Sequence, residues 1–172
     1  MCLFRPIVCP DWICEKEGTC LETQEHFKND HLMFQKKAKD GKYKKTFIRR
    51  KSVLPKTRFH KHGAVCEFGE VFFAVMMENF CNSYIGHFYL GEEEEARKFG
   101  YKITLTSQNG KETMSSYRLC RSYLSRDKDL YTGNKKHDEY FSTFPKCFVD
   151  KCRDSNNILT YDFEILQAST EN

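Results

Sequence analysis

No apolar run in this chain reaches the ~18 residues that a membrane-spanning helix requires. The N-terminus also lacks the basic-then-apolar pattern of a secretory signal. Catalytic signatures are missing as well. There is no G-x-S-x-G nucleophile turn and no glycine-rich loop to cradle phosphate. No acid, base and nucleophile assemble in one motif. Internal repeats and low-complexity segments are absent, and helical periodicity is scarce beyond residue 31. What remains is the profile of a binding module with no catalytic centre of its own.

The chain has 172 residues, 40% hydrophobic and 15% aromatic, enough for a buried core in one ordinary domain with a small added module. Nine cysteines, an odd number without a secretory signal, favour a reducing compartment over a disulfide framework. The expectation is a cytoplasmic protein, with the nucleus also open to it. Cys66, Cys81, Cys120, Cys147 and Cys152 lie in or beside apolar runs, where free thiols behave as small hydrophobes.

The most informative stretch is residues 2–31. Cys9, Cys14, His26 and His31 follow the pattern C-x4-C-x11-H-x4-H, two thiolates and then two imidazoles. That order and spacing suit a tetrahedral structural Zn2+ site. A short turn brings both sulfurs to one side of the ion. A helix beginning near Leu21 then presents His26 and His31, a little over one turn apart. Gly18 is expected to supply the tight corner before that helix. Four protein ligands leave no open position, so the metal should hold structure and perform no chemistry.

Charge is unevenly placed. Residues 36–62 hold twelve Lys and Arg against one acid, Asp40, or +11, so the rest of the chain carries −7 of the total +4. Two readings stand: an acidic partner for this segment, or an edge strand kept basic against aggregation. His60 and His62 lie inside the patch, as metal ligands or as exposed members of it.

Downstream the pattern is that of strands. Residues 71–77 (VFFAVMM) form a continuous apolar run, as in a strand buried on both faces. Residues 84–90 form another. Residues 92–98 (EEEEARK) read as a solvated turn. Tyr101, Ile103 and Leu105 alternate with polar neighbours, Asn109-Gly110 makes a hairpin turn, and residues 114–124 return. Residues 125–139 read as an exposed loop, and residues 144–148 as a buried turn. Leu159, Tyr161, Phe163 and Ile165 share one face of a last strand. The sum is a mainly β protein. A small zinc-finger module with two Cys and two His ligands covers residues 1–31, a connector or edge strand 32–46, and an antiparallel β-sandwich 47–172. With separate cores, loss of metal should melt residues 1–31 alone.

The segment CLFRPIVC, followed by Cys14, Gly18, His26 and His31, resembles the second zinc finger of seven-in-absentia (SIAH-type) E3 ubiquitin ligases. Cys2 matches the last ligand of that family's preceding finger, and Cys9 the first of the next. Here four residues separate Cys9 from Cys14, two fewer than in the family. Leu54-Pro55, Phe68-Gly69, and Leu90-Gly91 with Ala96, Phe99, Tyr101, Ile103 and Leu105 continue the likeness across most of the chain.

The resemblance implies a TRAF-like sandwich that forms a homodimer and captures extended peptide segments of substrates or adaptors by pairing with an edge strand. The family's ubiquitin-transferring RING lies upstream of such a region, so an E2 partner is implied only where a RING is present. A RING-less regulatory or decoy protein is the alternative. A nucleic-acid-binding finger is a third reading, opposed by Glu22, Glu25 and Asp30 on the helix. The groove positions map onto Lys39, Lys42, Tyr43, Arg58, Phe59, His60 and His62. The family's acids there have become Lys or Arg, so a more acidic peptide is expected.

Overall fold

The computed structural model describes residues 6–9, 14, 16–30, 43–48, 58–124 and 140–168; at residues 44, 45, 47, 48 and 58–62 it describes backbone placement only. Among these the protein is mainly β, with one mixed sheet, one antiparallel sheet and one small antiparallel ribbon.

The ribbon comes first. β1 (Ile7–Val8) pairs antiparallel with β2 (Glu17–Gly18). The Cys9 N–H donates to the Lys16 carbonyl at 2.8 Å, closing the loop between them. Gly18 is therefore a strand residue facing Ile7 and not the expected corner. A Cβ there would come within 3.1 Å of the Glu22 Cβ, so close approach explains the glycine.

Helix α1 (Cys20–Asp30) follows. Its start is fixed by a reciprocal cap: the Glu22 N–H donates to the Thr19 hydroxyl at 3.3 Å, and the Thr19 N–H donates to the Glu22 carboxylate at 2.7 Å. This is the S/T-x-x-E arrangement that satisfies two orphan donors of a first turn. The Thr19 N–H, and then the Thr19 hydroxyl donating to the same carboxylate at 2.9 Å, hold the exposed Glu22 carboxyl below its ordinary range.

One large sheet contains β4 (Arg58–Glu67), β5 (Glu70–Glu78), β6 (Asn82–Tyr89) and β10 (Ser142–Pro145) in the order β10-β6-β5-β4, and the short β9 (Arg121–Ser122) adds parallel to β6. The other runs β3-β11-β7-β8, from β3 (Tyr43–Ile48), β11 (Ile158–Gln167), β7 (Phe99–Thr106) and β8 (Thr113–Leu119). β3 pairs with β11 through six residues, so the expected boundary at residue 46 runs through a strand of this body.

The two sheets enclose one core. Val65, Phe72, Met76, Ile85 and Tyr89 from the first meet Tyr101, Ile103, Leu105, Leu159, Tyr161, Phe163 and Ile165 from the second. Alternation on β7 and β11 follows from the period of two. His87 sits in the same interior, its ring stacked on Phe163 at 4.2 Å.

Residues 71–77 are buried on both faces of β5, as their unbroken apolar run requires. The face turned away from the shared core carries a second cluster: Val71, Phe73, Val75, Met77, Tyr84, Phe88 and Phe141, together with Phe27 and Cys9. The ribbon and α1 are thus a third layer on this sheet. The expectation of separate cores is corrected here, because Phe27 and Cys9 are buried in the same cluster as β5.

Two local expectations also change. The EEEE segment forms a short helix, α2 (Glu93–Ala96), with Glu93 paired to Arg121 at 2.6 Å. Residues 144–148 run from β10 straight into helix α3 (Lys146–Lys151). No helix among the described residues is long and apolar enough to cross a membrane.

Candidate metal centre

Cys9 leaves the ribbon at the end of β1, Cys14 lies in the intervening loop, and His26 looks back from the second turn of α1. Their ligand atoms all lie within 4.8 Å of one another. Cys14 Sγ and His26 Nε2 are 3.2 Å apart. A tetrahedral ion bound at ~2.3 Å to sulfur and ~2.0 Å to nitrogen would set such donors roughly 3.5 Å apart. The spacing therefore fits, and Cys9, Cys14 and His26 form a group that could hold a metal ion.

The imidazole is oriented for that role. His26 Nδ1 lies 2.6 Å from Asp30 Oδ2, one turn further along α1. Lys16 reaches the same carboxylate at 3.4 Å. A carboxylate on one ring nitrogen fixes the tautomer and leaves the other nitrogen as the ligand. The hydrogen bonds from His26 and then from Lys16 hold the Asp30 carboxyl below its ordinary value. The i, i+4 offset between His26 and Asp30 was the one sequence signal for this partner.

Cys20, although adjacent in sequence, is not in the group. Its thiol donates to the Leu90 carbonyl at 3.2 Å, and the Gln24 amide donates to the same oxygen at 2.8 Å. Burial, with Glu92 and Glu70 nearby, pushes the Cys20 thiol up, away from the thiolate a metal requires. These bonds instead fasten α1 to the end of β6. Phe27 meets Phe73 edge-on at 5.9 Å, and the Lys28 ammonium donates to the Gly69 carbonyl at 3.2 Å.

The remaining expected positions divide. His31, Cys2, Lys39 and Lys42 lie outside the described residues. Arg58, Phe59, His60 and His62 fall on β4, the outermost strand of its sheet among the described residues, paired to β5. Tyr43 begins β3 but is a core residue, stacked on Phe163 at 5.1 Å. Its hydroxyl donates to Glu67, and burial followed by that carboxylate raises its pKa. Tyr43 therefore frames the β3–β4 border from within and does not line an open groove.

Comparison with family models finds no match, and comparison with curated proteins finds none.

Proposed function

We propose that this chain is a zinc-stapled recognition module, akin to the substrate-binding region of seven-in-absentia ubiquitin ligases, that captures extended acidic segments of other proteins. The observation that carries this reading is the Cys9, Cys14 and His26 group held against a two-sheet body. In this reading the ion is Zn2+ and His31 supplies the fourth ligand. Zinc with four protein ligands contributes cross-linking and no reactive position. The metal-bearing layer and the two-sheet body are then a SIAH-type finger and a TRAF-like sandwich.

Capture would use β4. It is an outer strand, and Arg58, His60, Lys61 and His62 give its first half a positive character. Main-chain pairing would supply affinity, and those charges would choose acidic segments. Ubiquitin transfer to the captured protein would need a RING outside these residues; without one, the same edge makes a decoy. Thiolate ligands require a reducing compartment, which favours the cytoplasm or nucleus.

A library of extended peptides of graded charge, read by fluorescence anisotropy, tests the reading. Acidic members should bind, and Arg58→Glu should weaken them at least about tenfold, a 1.4 kcal/mol change. A proline scan through residues 58–62 should abolish binding with the fold retained only at positions whose N–H faces away from β5, since at the others proline breaks the β4–β5 ladder itself. No binding by any peptide, or indifference to proline throughout that stretch, would contradict it.

A further inference from the structure

Cys9 and Cys14 are close enough to react with each other. The Cys9 N–H bond to the Lys16 carbonyl and the β1–β2 pairing close the loop that carries both. Their sulfurs are thereby held within 4.8 Å. A disulfide needs about 2.05 Å between sulfurs, so side-chain rotation and a small tightening of the loop suffice.

The two thiols differ in access. Cys9 is 4% exposed, buried in the cluster beneath the ribbon, whereas Cys14 is only part-buried. A small dissolved oxidant therefore reaches Cys14 first. Cys20, six positions further on, is held apart from this chemistry. Its thiol donates to the Leu90 carbonyl at 3.2 Å, and burial keeps it in the protonated, weakly nucleophilic form. Cys120 and Cys152 lie inside the sandwich core, and burial pushes their thiols up as well.

We propose that Cys9 and Cys14 are a peroxide-responsive pair, in which Cys14 is oxidised and Cys9 resolves it to a disulfide. The Cys14 thiolate attacks one oxygen of hydrogen peroxide, the O–O bond breaks, and hydroxide leaves, giving a sulfenic acid. The Cys9 thiolate then attacks that sulfur, the S–O bond breaks, and a second hydroxide leaves. The sulfur pair is oxidised by two electrons, and the peroxide, on taking up two protons, is reduced to two waters. Held side by side, the pair closes before a second peroxide can carry Cys14 on to the irreversible sulfinic acid.

In the zinc reading above, on which this consequence rests, an ion held by Cys9, Cys14 and His26 joins three segments: the end of β1, the following loop and α1. The disulfide joins only the first two. Closing the pair removes both thiolates, leaves imidazole donors alone for the cation, and so releases it and frees the ribbon from α1. Helix α1 keeps its own hold on the sheet, through the Gln24 bond to the Leu90 carbonyl and through Phe27 against Phe73. Oxidation thus loosens the cover from the ribbon side. Cys9 shares its cluster with Phe73 of β5 and Ala64 of β4, so the change reaches the strand assigned to capture.

Hydrogen peroxide added to the zinc-loaded full chain tests the pair, read by a chromogenic zinc indicator and by peptide mass mapping. Cleavage before Asp11 and after Lys16 gives residues 1–10 and 11–16, which stay joined only through a disulfide, and fragmentation assigns the sulfurs. The expected result is one 9–14 disulfide for each zinc released, with Cys20 still reduced. Dithiothreitol and fresh zinc should restore the starting state. Cys9→Ser leaves no resolving thiol and should raise dimedone labelling of Cys14 at least about tenfold. Replacing the exposed Cys81 and Cys147 by serine should leave 9–14 closure unchanged. A 14–20 disulfide, zinc release without a 9–14 bond, or Cys14 driven to sulfinic acid beside a reduced Cys9 would each overturn the proposal. A chain that binds no zinc yet closes 9–14 under peroxide would instead sink the metal reading and leave the pair standing.

Discussion

Strand β5 is buried from Val71 to Glu78, whereas β11 alternates, with Leu159, Tyr161, Phe163 and Ile165 inside and Thr160 open to solvent. Among the described residues the first strand lies in a sheet covered on both faces, the second in a sheet covered on one. On the solvent side of the second sheet, hydroxyls meet across strands: Thr46 with Thr160 at 3.3 Å, Thr104 with Ser115 at 3.0 Å. The difference teaches what the ribbon and α1 contribute. They cover the apolar outer face of β5 and β6, which water would otherwise reach, so the Cys9, Cys14 and His26 group is fastened to the layer it protects.

Variants break or sharpen this contrast in order of size. If the group holds Zn2+ as proposed, Cys14→Ser removes one of its ligands and should cost more than about 4 kcal/mol, or roughly 10 °C in Tm for a chain of this length. The loss should appear in the β-sheet signal of the whole body and not only in a finger signal. Trp12, the single tryptophan, lies between Cys9 and Cys14 in sequence and gives a separate fluorescence report on the ribbon.

Phe27→Ala leaves the ligands in place but opens the joint against Phe73; loss of a fully buried phenylalanine should cost about 3–5 kcal/mol, measured by urea unfolding. Tighter zinc binding or unchanged stability in this variant would separate the layer from the body.

Glu78 lies at the other end of β5, paired with Arg153 at 2.6 Å and Lys146 at 3.6 Å, all three nearly buried. Burial raises its pKa, but Arg153 and Lys146 outweigh that and hold the carboxyl below its ordinary range. Its contribution is therefore present above the unfolded value of about 4.3 and is lost as pH falls through the lower folded one. Glu78→Gln should cost about 3 kcal/mol at neutral pH by removing the buried carboxylate that Arg153 faces at 2.6 Å, leaving it only the more exposed Asp150 at 3.6 Å as a charged partner. It should also flatten the acid slope of stability below about pH 4. Thr160→Ala, on the solvent side of β11, should change stability by less than about 0.5 kcal/mol.

Much of the body was legible from the chain alone. The VFFAVMM run has the length of a strand covered twice, the alternation at 101–105 and 159–165 marked one-sided strands, and Asn109-Gly110 marks the β7–β8 turn with Gly110 at φ 71°. The order of Cys and His pointed to the metal group. The cover for β5 was not legible. Helix α1 buries only Thr23, His26 and Phe27, so its docking face is too narrow to announce itself. The covering residues are also more than forty positions from Phe73, and no local pattern encodes such a partner. Residues 144–151 misled because Phe144, Phe148 and Val149 are buried from a strand and then from a helix, giving neither period.

The most direct test is a thermal melt of the sheet signal, with and without a zinc chelator, for the native chain and for Phe27→Ala. The account predicts that chelation lowers the native Tm by roughly 10 °C and adds much less to Phe27→Ala, whose joint is already open. A native sheet melt that ignores the chelator, while Trp12 reports a disordered ribbon, would contradict it.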